Sequence, residues 1–248
     1  KELADAAAAT GVERFVLDDG WFHRRNDDSS SLGDWWPDAD KYPDGLEPLA
    51  SHVAGLGMEF GLWVEPEMVN PESELFRAHP DWALQIAGRP LLAARNQLVL
   101  DMGRQDVRDY LFEQISVLLR ALPISYLKWD HNRDLAHAGN TPRYREQVLG
   151  AYALFQRFRE AFPDVEIEAC AGGGGRIDAG IAAHTHRFWT SDNIDAVSRV
   201  SIQRGYLQFM PPELMGSHVG ASPAHSTGRS QSMRFRSGVA RAGHYGIE

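Results

Sequence analysis

Ile124-Ser125-Tyr126-Leu127-Lys128-Trp129-Asp130 is a short apolar run that ends in charge. Side chains two apart on an extended segment share a face, so Lys128 and Asp130 point the same way. A cation that near favours an ionised carboxylate, and Asp130 reads as an activated acid at a strand end. Phe188-Trp189-Thr190-Ser191-Asp192 repeats the pattern further along, an apolar run followed by an acid.

Working outward, the same pattern recurs. Strands are expected at 15–19, 59–65, 126–130, 166–170 and 187–192, with weaker ones at 206–210 and 244–248. Between them Leu46, Leu49, Val53 and Leu56 repeat at helical spacing. So do Val107, Tyr110, Leu111, Ile115, Leu118 and Leu119, and so do Tyr144, Val148, Tyr152 and Phe155. Alternating β and α segments point to a parallel sheet with helical crossovers. Seven strands predict a (β/α)8 TIM barrel truncated at its N-terminus, with the first strand missing and the end near the last strand. A doubly wound sheet is the alternative. Without an internal repeat or linker, residues 1–248 are expected to form a single, incomplete barrel domain. In such barrels the strand C-termini build the active site. Here Asp18-Asp19, Glu65-Pro66-Glu67, Lys128 with Asp130, and Asp192 with Asp195 all close apolar runs.

Bulk composition narrows the function. The 248 residues are 43% hydrophobic, enough for a large core. A net charge of −9 argues against nucleic acid as a partner. Cys170 is the one cysteine, which precludes an intrachain disulfide and fits the cytoplasm. No apolar stretch reaches the roughly 20 residues of a membrane helix. Lys1 lies in what reads as a helix, so the chain is expected to be a piece of a longer protein, with any targeting signal outside it. His184 and His186 are two apart, but no HExxH or CxxC pattern exists, so neither a metal nor a cofactor is expected.

Each motif carries a functional and a bland reading. Asp18-Asp19-Gly20-Trp21-Phe22 suits sugar hydroxyls beside an aromatic, and equally a capped turn. Both acids can serve one ligand only if the strand has ended before them. Trp63 and Glu65 share a face, and an indole can wall a pyranose ring; an isolated strand tryptophan reads first as core. Gly172-Gly173-Gly174-Gly175 lets backbone amides approach a ligand, although composition alone favours a flexible turn. It matches neither a P-loop nor a dinucleotide fingerprint. Asp192 and Asp195 are three apart; Asp192 is nearer the strand end, and both also suit the cap of a helix starting near Ala196. Six of the seven tryptophans lie at or just after strand ends, which suits carbohydrate or core. Two carboxylates from two strand ends suggest glycoside chemistry.

Together these segments resemble glycoside hydrolase family 36, the retaining α-galactosidases. The likeness rests on Val16-Leu17-Asp18-Asp19-Gly20-Trp21-Phe22, Leu32-Gly33-Asp34-Trp35, and Gly61-Leu62-Trp63-Val64-Glu65-Pro66-Glu67-Met68. It continues in Arg95-Asn96-Gln97, Tyr126-Leu127-Lys128-Trp129-Asp130-His131-Asn132-Arg133, the Glu168–Arg176 glycine segment, and Trp189-Thr190-Ser191-Asp192-Asn193-Ile194-Asp195. The resemblance implies that Asp130 is the nucleophile and Asp192 the acid/base. Asp18 and Asp19 would hold the 4- and 6-hydroxyls of a galactosyl ring, with Trp63, Arg95, Lys128, Cys170 and Gly173 completing the subsite. His131 stands where a methionine is expected, and Ile194 where a threonine is usual. The implied reaction is exo-hydrolysis of melibiose- or raffinose-type α-galactosides with retention, the carboxyls about 5–5.5 Å apart. Alternatives are a raffinose- or stachyose-synthase-like transgalactosylase, an α-N-acetylgalactosaminidase, and a non-catalytic galactoside-binding barrel. The family's flanking β domains lie outside this chain, and the parent is expected to be a homo-oligomer.

Overall fold

A computed structural model describes residues 1–136 and 143–248. The chain divides into two compact units, 1–166 and 167–248.

The first unit runs α1 (Glu2–Ala9), β1 (Arg14–Leu17), α2 (Glu47–Gly55), β2 (Glu59–Val64), β3 (Met68–Val69), α3 (Glu74–Ala78), β4 (Leu98–Val99), α4 (Gln105–Ala121), β5 (Ile124–Trp129) and α5 (Tyr144–Ala161). β1, β2 and β5 are parallel, with Leu17 opposite Leu62, Trp63 opposite Lys128, and Val64 opposite Trp129. β2 is the middle strand and is buried from Phe60 to Val64. That is why it reads as a continuous apolar run instead of an alternation. Gly61 lets its neighbours close in. A Cβ there would lie 2.9 Å from Val16 and 3.1 Å from Tyr126.

Helix α4 buries Val107, Leu111, Ile115, Leu118 and Leu119, as its periodicity predicts. Each such side chain contributes about 1.5–3 kcal/mol relative to exposure. α5 corrects part of the sequence reading: Phe155 is buried as expected. Tyr144 and Val148 are 49% and 45% exposed, and the inward face is Gln147, Ala151, Leu154, Phe155 and Phe158. The reason is polar. Gln147 accepts the Met102 N–H at 2.8 Å and donates to the Leu100 carbonyl at 3.0 Å, satisfying a buried backbone turn. Gly150 then lets the helix approach the Met102 carbonyl. The small antiparallel β3–β4 pair was not anticipated, because two residues per strand carry no period.

The second unit contains β6 (Glu166–Ala169) from its second residue on, then α6 (Ala179–Ala182), β7 (Arg187–Trp189), α7 (Ala196–Tyr206), β8 (Met215–Val219), α8 (Met233–Ala240) and β9 (His244–Ile247). β6, β7, β8 and β9 pair in that order, all parallel. The strand expected at 206–210 is absent. Tyr206 closes α7, and Phe209 is 62% exposed. The strand lies instead at Met215–Val219, where Gly216 and Ser217 hide it from any propensity argument.

Candidate active site

In the first unit β1, β2 and β5 end at Leu17, Val64 and Trp129, and an acid follows each: Asp18, Glu65 and Asp130. β1 has therefore ended before the aspartate pair, and both Asp18 and Asp19 are free of strand alternation. Asp18 pairs with Lys128 Nζ at 2.8 Å and remains 57% exposed. Asp19 is held by Arg25, whose Nη2 lies 2.9 Å away and whose side chain is itself only 3% exposed. Arg25 also donates to the Ser30 carbonyl at 2.9 Å. The Lys128 ammonium thus reaches across to β1's acid, a geometry that strand alternation alone does not supply.

Asp130 is 6% exposed. Its N–H donates to the Val64 carbonyl at 2.8 Å, carrying the β2–β5 ladder one step past the strand. Its Oδ2 accepts from Trp63 Nε1 at 3.2 Å and from Asn132 Nδ2 at 2.6 Å, and its Oδ1 accepts the His131 N–H at 2.8 Å. Trp63 is 3% exposed and packs with Phe22 and Trp35. Its core role and its site role coincide: the ring is buried and the N–H reaches the acid. Glu65 is 1% exposed, and its two oxygens accept from the Asn132 N–H and from Gln97 Nε2. Burial first, and the Asp130 charge second, push its carboxyl up to about 8, while Asn132 and the Arg95 charge pull the other way. Arg95 sits on an exposed turn in which Ala94 and Gln97 exchange backbone bonds. Arg95 and Asn96 take φ of +51° and +58° there, as a tight two-residue hairpin turn requires.

In the second unit Cys170 follows β6 and is buried with Trp189 and Ile194. Within the glycine segment Gly173 is buried, while Gly172 and Gly175 are exposed. Gly173 has φ +85°, and a Cβ on it would lie 2.8 Å from the Asp192 nitrogen. Ala171 and Gly175 close this loop, the Ala171 N–H donating to the Gly173 carbonyl and the Gly175 N–H to the Ala171 carbonyl. Asp192 lies past the end of β7, is exposed, and accepts Trp189 Nε1 at 2.8 Å. Asp195 has a different task. It is 1% exposed and caps α7 through the Ser198 N–H and hydroxyl, and it pairs with Arg229 at 2.7 Å. Burial raises its carboxyl, but these bonds together hold it below the usual range.

Six tryptophans, Trp21, Trp35, Trp63, Trp82, Trp129 and Trp189, are buried, so of the two readings open to them, carbohydrate or core, the packing is that of core. Three of their indole N–H groups nonetheless end on carboxylates after strands: Trp63 on Asp130, Trp129 on Glu67, and Trp189 on Asp192. Arg25 and Asn132 were missed as site residues. Asn132 stands inside the quoted Lys128–Arg133 motif, but no spacing rule assigns it a partner.

The family model for melibiase matches residues 1–248. An alpha-galactosidase of Escherichia coli is 51% identical over 249 residues, covering 100% of this chain and 35% of that protein. The crystal structure of the GH36 alpha-galactosidase AgaB from Geobacillus stearothermophilus superposes with a TM-score of 0.97 at 48% identity, over 100% of this chain and 35% of that one. A variant of AgaA from the same organism, solved in complex with raffinose, superposes with a TM-score of 0.96 at 47% identity, over 100% and 36%. The chain thus spans about a third of the length of the relatives it matches.

Proposed function

Because this chain belongs to the melibiase family, we propose that it is the catalytic part of a retaining exo-α-galactosidase acting on terminal α-galactosyl residues of raffinose-type oligosaccharides. Both units serve one (β/α)8-type catalytic domain. Asp130 attacks the anomeric carbon as the glycosidic C–O bond breaks, and Asp192 gives its proton to the departing oxygen. Water then attacks the galactosyl-enzyme, Asp192 takes the water's proton, and the bond to Asp130 breaks with the α configuration restored. Asp18, Asp19, Lys128, Trp63, Arg95, Cys170 and Gly173 form the galactosyl subsite. The protein works in the cytoplasm, a compartment that its single cysteine suits, and within a homo-oligomer.

The observation that carries this reading is Asp130 itself. It is a nearly buried carboxylate at a strand end, fixed by three N–H donors, within a sequence that matches the family from end to end. The test uses the full-length native protein on aryl α-galactoside and aryl α-glucoside, with NMR of the first-formed sugar. α-Galactose released first, from the galactoside alone, is the expected result. β-Galactose released first overturns the double displacement.

A further inference from the structure

Asp130 Oδ2 accepts two side-chain donors, and one of them belongs to a second carboxyl's network. Asn132 Nδ2 donates to that oxygen at 2.6 Å, while the Asn132 backbone N–H donates to Glu65 Oε1. An ionised carboxylate only accepts, so the nitrogen of the Asn132 amide must face Asp130. Glu65 follows directly on β2, and its other oxygen accepts Gln97 Nε2 at 3.3 Å. Trp63, two residues earlier on the same strand, supplies the second donor to Oδ2 at 3.2 Å. The end of β2 therefore holds the carboxylate carried by β5 through two routes. One is direct through Trp63, and the other passes from Glu65 through Asn132.

Glu65 is a poor choice for stability alone. A carboxyl that is 1% exposed and feels another acid is costly to bury, and burial pushes it up to about 8. The charged groups acting on it are Asp130 and Arg95. A leucine at this place would pack without that cost, but it would leave the Asn132 N–H without its acceptor.

We propose that Asn132 and Glu65 are positioning residues for the nucleophile. Glu65 fixes the turn after β5 by gripping the Asn132 backbone, and the Asn132 carboxamide fixes Asp130 Oδ2. The aim of the attacking carboxylate is thereby set from β2. This inference rests on Asp130 being the nucleophile.

A fluorinated galactosyl fluoride that traps the galactosyl-enzyme reads the attack step alone, and peptide mass spectrometry reads the labelled residue. In the full-length native protein, Asn132→Ala is expected to slow labelling at saturating reagent by about 10- to 100-fold, the scale of a misplaced reacting group. The reagent's binding constant and the melting temperature should hold. Asn132→Asp keeps the shape but loses the donor, and it should be slowed as well. Glu65→Leu should slow labelling, and Glu65→Gln, which keeps an acceptor for Asn132, should recover most of the loss. Wild-type labelling rates in Asn132→Ala and Asn132→Asp overturn this inference while leaving Asp130 the nucleophile. A wild-type label on another residue overturns the reading of Asp130 itself.

Discussion

Asp130 and Asp192 each follow a parallel strand and each receive an indole N–H, yet their surroundings are opposite. Asp130 is 6% exposed and takes donors on both oxygens. Asp192 is exposed and takes Trp189 Nε1 on one oxygen. The difference suits the two tasks proposed for these acids. An attacking oxygen gains from being fixed, because orientation lowers the barrier directly. An acid/base must lose a proton to one oxygen and take one from another, so it gains from access. Similar local sequence, an apolar run and then an acid, thus yields a clamped carboxylate in one unit and an open one in the other.

The strongest way to break this comparison is to remove each acid. Asp130→Ala should lower kcat by at least about 10⁴-fold on every substrate, as loss of a nucleophile does elsewhere. A variant that retains wild-type turnover places the nucleophile elsewhere. Asp192→Ala should cost about 10²–10⁴-fold on raffinose, the usual worth of general acid–base help. The loss should be smaller on an aryl galactoside whose leaving group needs no proton. Added azide should then restore turnover and yield α-galactosyl azide. No difference between the two substrates would show that Asp192 donates no proton to the leaving group.

How far the sequence carried this picture depends on what kind of signal each residue leaves. Strand ends were legible because apolar runs closing in Asp18, Glu65 and Asp130 combine two independent cues, burial and abrupt charge. The helix α4 was legible because its buried face is apolar but for Ser116. α5 was read only in part: Phe155 faces inward as its spacing predicts, but Tyr144 and Val148 do not, because the inward position 147 is a glutamine held by backbone bonds that no periodicity encodes. The strand Met215–Val219 was missed because close neighbours demand small residues, and small residues look like turns. The Lys128 partner was half legible. Alternation predicts its face, but the pairing with Asp18 depends on strand order, which appears only in the fold.

Smaller effects sharpen the contrast. Gly173→Ala puts a Cβ 2.8 Å from the Asp192 nitrogen at φ +85°. Backbone strain of this kind costs about 1–3 kcal/mol, and it should appear as a lower melting temperature with reduced kcat on raffinose. Unchanged kcat and stability would show that the glycine loop does not brace Asp192. On the clamped side, Glu65 makes stability pH-dependent. Its carboxyl titrates near 8 when folded against an ordinary 4.5. Below about 4.5 both folded and unfolded forms are protonated and there is no cost. Between 4.5 and 8 the unfolded chain gives up the proton and the native state keeps it, so stability falls as pH rises. Melting curves across that window should slope down, and Glu65→Gln should flatten the slope. An identical slope in the variant would mean that Glu65 titrates normally.

The smallest effect separates Asp192 from its neighbour three residues on. Asp195 caps α7 through Ser198 and is tied to Arg229, so its removal is a loss of helix anchoring. Asp195→Ala should lower the melting temperature modestly and leave turnover of an activated aryl galactoside intact. Asparagine caps a helix about as well as aspartate, so Asp195→Asn should regain most of the stability and lose only the Arg229 pair. The open acid and the buried cap then respond to different assays, one to leaving-group demand and the other to heat. If Asp195→Ala instead loses turnover that azide restores, the proton donor is the buried residue. Openness is then not what distinguishes the acid/base from the nucleophile.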